Sequence, residues 1–372
     1  MPEGFLAGIR VLDLSQYLPG PMATRILADL GALVLKIEPP EGDPLHHMNP
    51  VSGLQENGAG EAYYRSVNAG KSVIRLDLKS LDGKASFEKL VKRADVLLES
   101  YRPGVLGRLG FGRERLRALN PGLIHCALTG YGQCGPRAND AGHDIGYAAL
   151  SGGLAASGGG DAPSFNWPPV VDHSGAQQAA IAMLGALASK KPQGCFIDVA
   201  LTDSYLAWQD WGLTAAQSDN AADHPRRGGN LLNGGSACYR LYGTSDGRFI
   251  ALGALEPKFW RNFCHGVEKP EWVARQSEPL VQTALIEEVK DLIGSKPLAH
   301  WVDTLAGVDC CFQAVLEYPE TIADAYVRER QLLQSEDGFL QVLFPAHFNG
   351  TPPQNRVAVQ EMKFDQIIKI WP

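Results

Sequence analysis

Residues 8–44 read GIRVLDLSQYLPGPMATRILADLGALVLKIEPPEGDP, and this stretch decides the fold class. Ile9–Leu14 is an apolar run of strand length, closed by the turn Leu18-Pro19-Gly20-Pro21. Met22–Leu30 then has helical spacing, and Gly31 sits where a C-cap glycine belongs. Leu33–Ile37 (LVLKI) is a second buried strand. Strand, helix, strand in this order predicts the first turn of a parallel, doubly wound sheet covered on both faces.

The alternation continues. Strands are expected at Ser72–Leu78, Val96–Glu99 and Leu123–Leu128, a helix at Ser80–Arg93, and right-handed crossovers throughout. A glycine-rich stretch, Gly152–Asp161, separates Gly142-His143-Asp144-Ile145 from a small-residue helix over Gly175–Ser189. A strand at Cys195–Leu201 and a helix at Thr202–Gln217 follow, and then the polar break Ser218–Gly229. Beyond it, Tyr239–Tyr242 and Arg248–Leu252 flank Ser245-Asp246-Gly247 as a hairpin, with helices at Pro257–Phe263, Leu280–Ile293 and Ala299–Leu305. The expected architecture is α/β. A large doubly wound, Rossmann-like domain spans 1–217 and is completed by 334–372. A linker covers 218–229, and a smaller α+β domain covers 230–333.

Composition removes whole classes. Of 372 residues, 45% are hydrophobic, too many for a disordered chain. Asp and Glu total 41 against 34 Lys and Arg, with no basic stripe, so no nucleic-acid partner is expected. No apolar stretch approaches the ~18–20 residues of a membrane span. The N-terminus runs into a strand without the order of a secretory signal, so a cytoplasmic protein is expected. The seven Cys are irregularly spaced, with no CxxC and no His/Cys cluster, and read as free thiols with no metal site. No GxGxxG follows the first strand and no phosphate-binding lysine loop occurs, which argues against nicotinamide and nucleoside-triphosphate chemistry.

Three segments meet in order: the stretch quoted above, ESYRPGVLGRLGFG from Glu99, and LIHCALTGYGQCGP from Leu123. Together they resemble the class III coenzyme A transferase family, which includes formyl-CoA transferase, carnitine CoA-transferase and α-methylacyl-CoA racemase. The resemblance runs from about Gly8 to about residue 330. Within the family, Gly142-His143-Asp144-Ile145, Asp172 and Gly253-Ala254-Leu255-Glu256-Pro257 resemble the racemase segments that carry a catalytic His, Asp and Glu. Asn233-Gly234-Gly235 is similar to the racemase form of the glycine loop, which places Gly234 and Gly235 at the oxyanion. Formyl-CoA transferases carry Tyr where His143 falls and Gln where Leu18 falls.

The resemblance implies a CoA thioester as substrate, no prosthetic group, and an interlocked homodimer, with a heterodimer of paralogous chains as the variant. Arg102, in Tyr101-Arg102-Pro103-Gly104, matches a family Arg at the CoA site. Its forked guanidinium suits a phosphate. Tyr101, Lys79 and Leu18 are the further CoA-binding candidates.

The chemistry explains the residue types. Racemising a 2-methylacyl-CoA removes the proton next to the thioester carbonyl and returns it on the other face, so two acid/base groups must flank that carbon. His143 serves near neutral pH. Asp172 serves only if burial raises it from a reference near 3.9. Glu256 orients the imidazole, and backbone N–H groups at the helix start near Asp172 are the expected enolate donors. The alternative is CoA transfer between carboxylic acids, with Asp172 forming a mixed anhydride and then an aspartyl-CoA thioester. A third reading is a non-catalytic CoA-binding subunit of a hetero-oligomer. Outside the resemblance, an Asp at a helix start is ordinarily an N-cap, and a Glu before Pro an N-terminal helix charge.

Overall fold

The structure is a computed structural model that describes residues 4–49, 53–54, 60–159, 162–189, 193–336 and 339–371. Gly160 and Asp161, the end of the glycine-rich stretch, lie outside the described residues. Two compact units result. The first comprises residues 1–150, 167–208 and 324–372, the second 151–166 and 209–323.

The first unit is built on a seven-stranded sheet. Its strands are β1 (Arg10–Leu14), β2 (Leu33–Glu38), β3 (Ser72–Arg75), β4 (Val96–Glu99), β5 (Ile124–Thr129), β6 (Phe196–Ala200) and a late edge strand, Gln360–Glu361. All neighbours pair in parallel, in the order edge–β3–β2–β1–β4–β5–β6. The order reverses between β1 and β4, and in such sheets the crevice beyond the strand ends at that reversal receives ligands. Among the described residues no helix is long and apolar enough to cross a membrane.

Alternation along β1 gives the sheet two different faces. Leu12 and Leu14 join Leu35, Leu97, Phe87, Phe111 and Trp371 in one apolar core. Asp13, pointing the other way, is fully buried beside Lys36, its register partner on β2. One Asp13 oxygen accepts from Ser15 N at 2.9 Å and from the Ser15 hydroxyl. The other accepts from Thr24 Oγ1 at 2.6 Å and Lys71 Nζ at 3.0 Å. Lys36 Nζ donates to Ser15 O at 2.6 Å and lies 2.9 Å from Asp43 Oδ2. Burial alone would raise Asp13, but Lys71, Lys36 and the two hydroxyls reverse it, so its carboxyl is held well below the usual range. Burial pushes Lys71 down to about 8.

The first helix, α1, is Pro19–Asp29 and starts three residues before the expected Met22, with Pro at its first position, where no N–H is needed. A Cβ on Gly20 would lie 2.1 Å from the Ser15 side chain, so glycine is what lets α1 close over the turn. Helix α2 (Leu81–Val91) is capped by Ser80, whose hydroxyl accepts from Gly83 N at 3.0 Å.

The second unit holds a three-stranded antiparallel sheet, β7 (Tyr239–Gly243), β8 (Phe249–Gly253) and β9 (Phe312–Ala314), ordered β9–β8–β7. Its core is Trp260, Phe263, Trp272, Val289 and Trp301 with Ile250 and Leu252.

Four boundaries differ from the sequence reading. The helix over 202–217 breaks into Leu201–Leu206, a 3-10 turn and Asp210–Ala215, and the units divide within that break. Residues 218–229 form a hydrogen-bonded part of the second unit. There Arg226 N donates to Asn230 Oδ1 at 2.6 Å, and Asn233 Nδ2 to Arg226 O at 2.7 Å. Residues 151–166 also belong to that unit, where Asn233 Nδ2 reaches Ala156 O at 3.2 Å, and the chain rejoins the first unit at 324, not 334.

Removing Asp13 leaves the buried Lys71 ammonium without its carboxylate partner and takes one of two carboxylates from beside Lys36. Asp13→Ala is therefore expected to cost about 3–5 kcal/mol in urea unfolding. Breaking the exposed Lys290–Glu287 pair should leave the same transition unmoved.

Candidate active site

A cavity of about 360 Å³ opens at the β1/β4 reversal. Gln16 to Pro19 after β1, Ser100, Arg102 and Pro103 after β4, and Thr129 to Tyr131 at the end of β5 form its floor and walls. His143, Tyr147 and Asp172 complete it. Of the sequence candidates, Leu18, Arg102, His143 and Asp172 thus come together. Tyr101 and Lys79 line a neighbouring cavity of about 340 Å³ with Glu38 to Glu41 and Leu76 to Leu78, and Gln16 lines both. Burial, with the Glu99 carboxylate second, pushes the Tyr101 phenol up to about 12, so it remains a neutral donor.

Asp172 lies in the first turn of α4 (Val170–Ala188), which starts five residues before the expected Gly175. The N-cap is Pro169, whose side chain cannot accept a hydrogen bond. Asp144, the first residue of helix α3 (Asp144–Leu150), supplies the missing cap from 27 residues away. Its Oδ1 accepts from Val171 N at 2.7 Å and from Asp172 N at 3.0 Å. This satisfies two orphan donors and places a second anion beside Asp172. Burial first, and Asp144 second, raise Asp172 from its ordinary 3.8 to about 7.

That arrangement corrects the expected enolate donors. The N–H groups of Val171 and Asp172 are already committed to Asp144, and His173 N donates to Pro169 O at 3.3 Å. The His173 ring also bonds through Nδ1 to Pro169 O at 2.7 Å, which gives it a structural place in the first turn of α4.

His143 is exposed and precedes α3, its carbonyl accepting from Gly146 N at 2.8 Å and Tyr147 N at 3.3 Å. No hydrogen bond reaches its imidazole among the described residues. Arg102 is likewise exposed on the wall, its guanidinium without a carboxylate partner among the described residues.

Tyr147, which the sequence reading passed over, is 6% exposed. A Cβ on Gly130 would sit 2.4 Å from its hydroxyl oxygen and one on Gly142 2.5 Å from its ring, so both glycines make room for it. Tyr131 packs edge-on against it, centroids 5.1 Å apart.

Glu256, Gly234 and Gly235 belong to the second unit. Glu256 precedes α5 (Pro257–Gly266); its carbonyl accepts from Phe259 N at 2.9 Å and Trp260 N at 3.1 Å, while its exposed carboxylate caps nothing. Gly234 lines a cavity of about 930 Å³ in that unit with Arg227, Asn233, Tyr239 and Arg240. Gly235 N is committed to Asn230 O at 2.9 Å, so this N–H is not the oxyanion donor expected of it. Among the described residues no three of His, Cys, Asp and Glu gather as a metal ion would need.

Residues 6–359 match the model described as CoA-transferase family III. The chain is 33% identical over 335 residues to the human α-methylacyl-CoA racemase, covering 87% of this chain and 81% of that protein. It is 31% identical to the acetyl-CoA:oxalate CoA-transferase of Acetobacter aceti, covering 94% and 90%. A crystal structure of a hypothetical protein from Mycobacterium tuberculosis superposes with a TM-score of 0.82 at 26% identity, covering 99% of this chain and all of that one.

The raised Asp172 has a stability signature. Between its ordinary 3.8 and about 7 the folded chain holds a proton that the unfolded chain releases, so stability falls as pH climbs through that window and the penalty is complete above it. Asp172→Asn should therefore melt a few degrees above wild type at pH 8, with the difference shrinking as pH falls through the window and vanishing only below its ordinary 3.8 in a series of thermal melts.

Proposed function

The chain belongs to CoA-transferase family III, and from this we propose that the cavity at the β1/β4 reversal holds an acyl-CoA thioester and exchanges the proton at C2 of a 2-methylacyl group between His143 and Asp172. The observation that carries the reading is Asp172 at about 7. A carboxyl poised there is available as acid and as base at neutral pH, which a two-base exchange needs. One group takes the C2 proton and the electron pair moves to the thioester oxygen. The other group returns a proton to the opposite face.

The rest of the ligand has matching surroundings. Arg102 offers an uncommitted fork to a phosphate at the mouth of the cavity. The neighbouring cavity, reached past Gln16 and lined by Tyr101 and Lys79, suits the nucleotide end.

A second reading is favoured by a different observation, the unoriented and exposed His143 imidazole. Here the Asp172 carboxylate attacks the thioester carbonyl and CoA leaves as thiolate, giving a mixed anhydride. The thiolate then attacks the aspartyl carbonyl and releases the first acid. An acceptor carboxylate repeats the sequence and carries CoA away. Asp172 is required in both readings, His143 only in the first.

The functional assembly in this reading is an interlocked homodimer. Helix α4 carries only Asp172 and His173 as ionisable groups, and its Ile181 is 61% exposed. A largely apolar helix that exposes such a side chain needs cover, and a second copy of the chain supplies it. Light scattering should give twice the 40.2 kDa chain mass; a monomer would remove this part of the proposal.

The deciding experiment is deuterium uptake at C2 of a 2-methylacyl-CoA in D₂O, followed by NMR. Uptake without an acceptor acid, abolished in Asp172→Ala and His143→Ala, is the expected result. No uptake, with CoA transfer to an added carboxylate and an Asp172 thioester in the mass spectrum, selects the second reading. CoA binding without either reaction overturns both. Arg102→Ala should raise KM for the thioester about tenfold or more while kcat moves little.

A further inference from the structure

Either reaction puts negative charge on the thioester oxygen, as an enolate or as a tetrahedral oxyanion, and a donor must meet it. Four of the donors that the sequence pointed to are spent. Val171 N and Asp172 N serve Asp144, His173 N serves Pro169 O, and Gly235 N serves Asn230 O. The Thr129 hydroxyl, although on the cavity wall, is sealed from its interior, with almost no surface of its own.

Tyr147 differs from all of these. The residue is only 6% exposed yet lines the cavity with His143 and Asp172, and its hydroxyl has no hydrogen-bond partner among the described residues. Unlike the Thr129 hydroxyl, the Tyr147 oxygen is not sealed, so it is free to donate to a group that enters the cavity. The ring is also held in place. Gly130 and Gly142 leave it room that no other residue would, Tyr131 packs against its face edge-on, and its own N–H is anchored to His143 O at 3.3 Å.

We propose that the Tyr147 hydroxyl is the hydrogen-bond donor to the thioester oxygen, stabilising the charge that develops there when Asp172 acts. This rests on the reading that Asp172 works on an acyl-CoA in this cavity, and it holds for both reactions considered above. The tyrosine transfers no proton. It donates a hydrogen bond while the electron pair rests on oxygen and keeps that bond until the pair returns to carbon or expels the leaving group. Burial, then Tyr131 and Asp172, push the phenol up to about 12 against the opposing pull of Arg102, so it remains a donor throughout the working pH range.

The test is Tyr147→Phe in the full-length chain, which keeps the ring and removes only the oxygen. kcat for C2 exchange, or for CoA transfer if that is the reaction wild type performs, should fall about 10²-fold. Binding of a non-reactive S-alkyl-CoA thioether, which lacks the carbonyl oxygen, should stay within twofold of wild type, as should the positions of both limbs of the pH profile. A variant within threefold of wild-type kcat, measured beside an inactive Asp172→Ala, overturns the role of Tyr147 and leaves the functional reading standing. A parallel loss of thioether affinity would also overturn it, since the ring would then merely shape the pocket. Full activity in both variants removes the functional reading itself.

Discussion

The buried carboxylate of Asp13 is the constraint on which the first unit turns. It sits at the centre of the sheet, and the groups it engages come from four separate stretches: Lys36 on β2, Ser15 in the turn, Thr24 on α1, and Lys71 at the entrance to β3. Burying three charges together is a poor way to gain stability, because desolvation offsets most of the Coulomb attraction. What it secures is geometry. Lys36 holds the Ser15 carbonyl and Asp43 at once, and Asp43 in turn accepts from Leu45 N at 2.9 Å. The turn that carries Gln16 to Pro19 into the cavity is therefore fixed from beneath, and Leu45, which also lines that cavity, is fixed by the same network.

A similar economy operates at the cavity. Asp144 caps a helix that has no capping side chain of its own, and the same charge makes its neighbour Asp172 a weaker acid. Stabilising the helix start and tuning the Asp172 carboxyl are one interaction seen from two sides. The N-terminus of a helix normally lowers the pKa of a carboxyl in its first turn. Here the first N–H groups are filled by another carboxylate, that of Asp144, and Asp172 is raised instead.

The sequence made the parallel sheet legible because apolar runs of strand length alternate with helical spacing, and that depends only on local pattern. The pairing of Asp13 with Lys36 and Lys71 was not legible, since each charge reads locally as an interruption in an apolar strand or a residue before one. Asp144 was quoted for its neighbour His143, yet its own role needs a helix start 27 residues away, and spacing does not encode such a contact. Tyr147 escaped notice because a lone tyrosine in a helix usually means core packing. Only the two glycines fitted around it, and its missing partner, mark it out. Glu256, Gly234 and Gly235 came from the resemblance alone, and the fold places them in the other unit.

The order in which the chain visits its two units has a further consequence. Ile367 and Trp371 are buried in the same apolar core as Leu12 and Leu35 of the first two strands, and the edge strand Gln360–Glu361 closes the sheet beside β3. During synthesis, strands β1 to β6 emerge from the ribosome long before the segment that seals one of their faces. The second unit, whose core draws on residues 237–310 with Phe312 and Ala314 packed against it, is complete while the first still waits. The older half of the polypeptide is thus the last to be finished, and through that interval the places of Ile367 and Trp371 in its core stand unfilled.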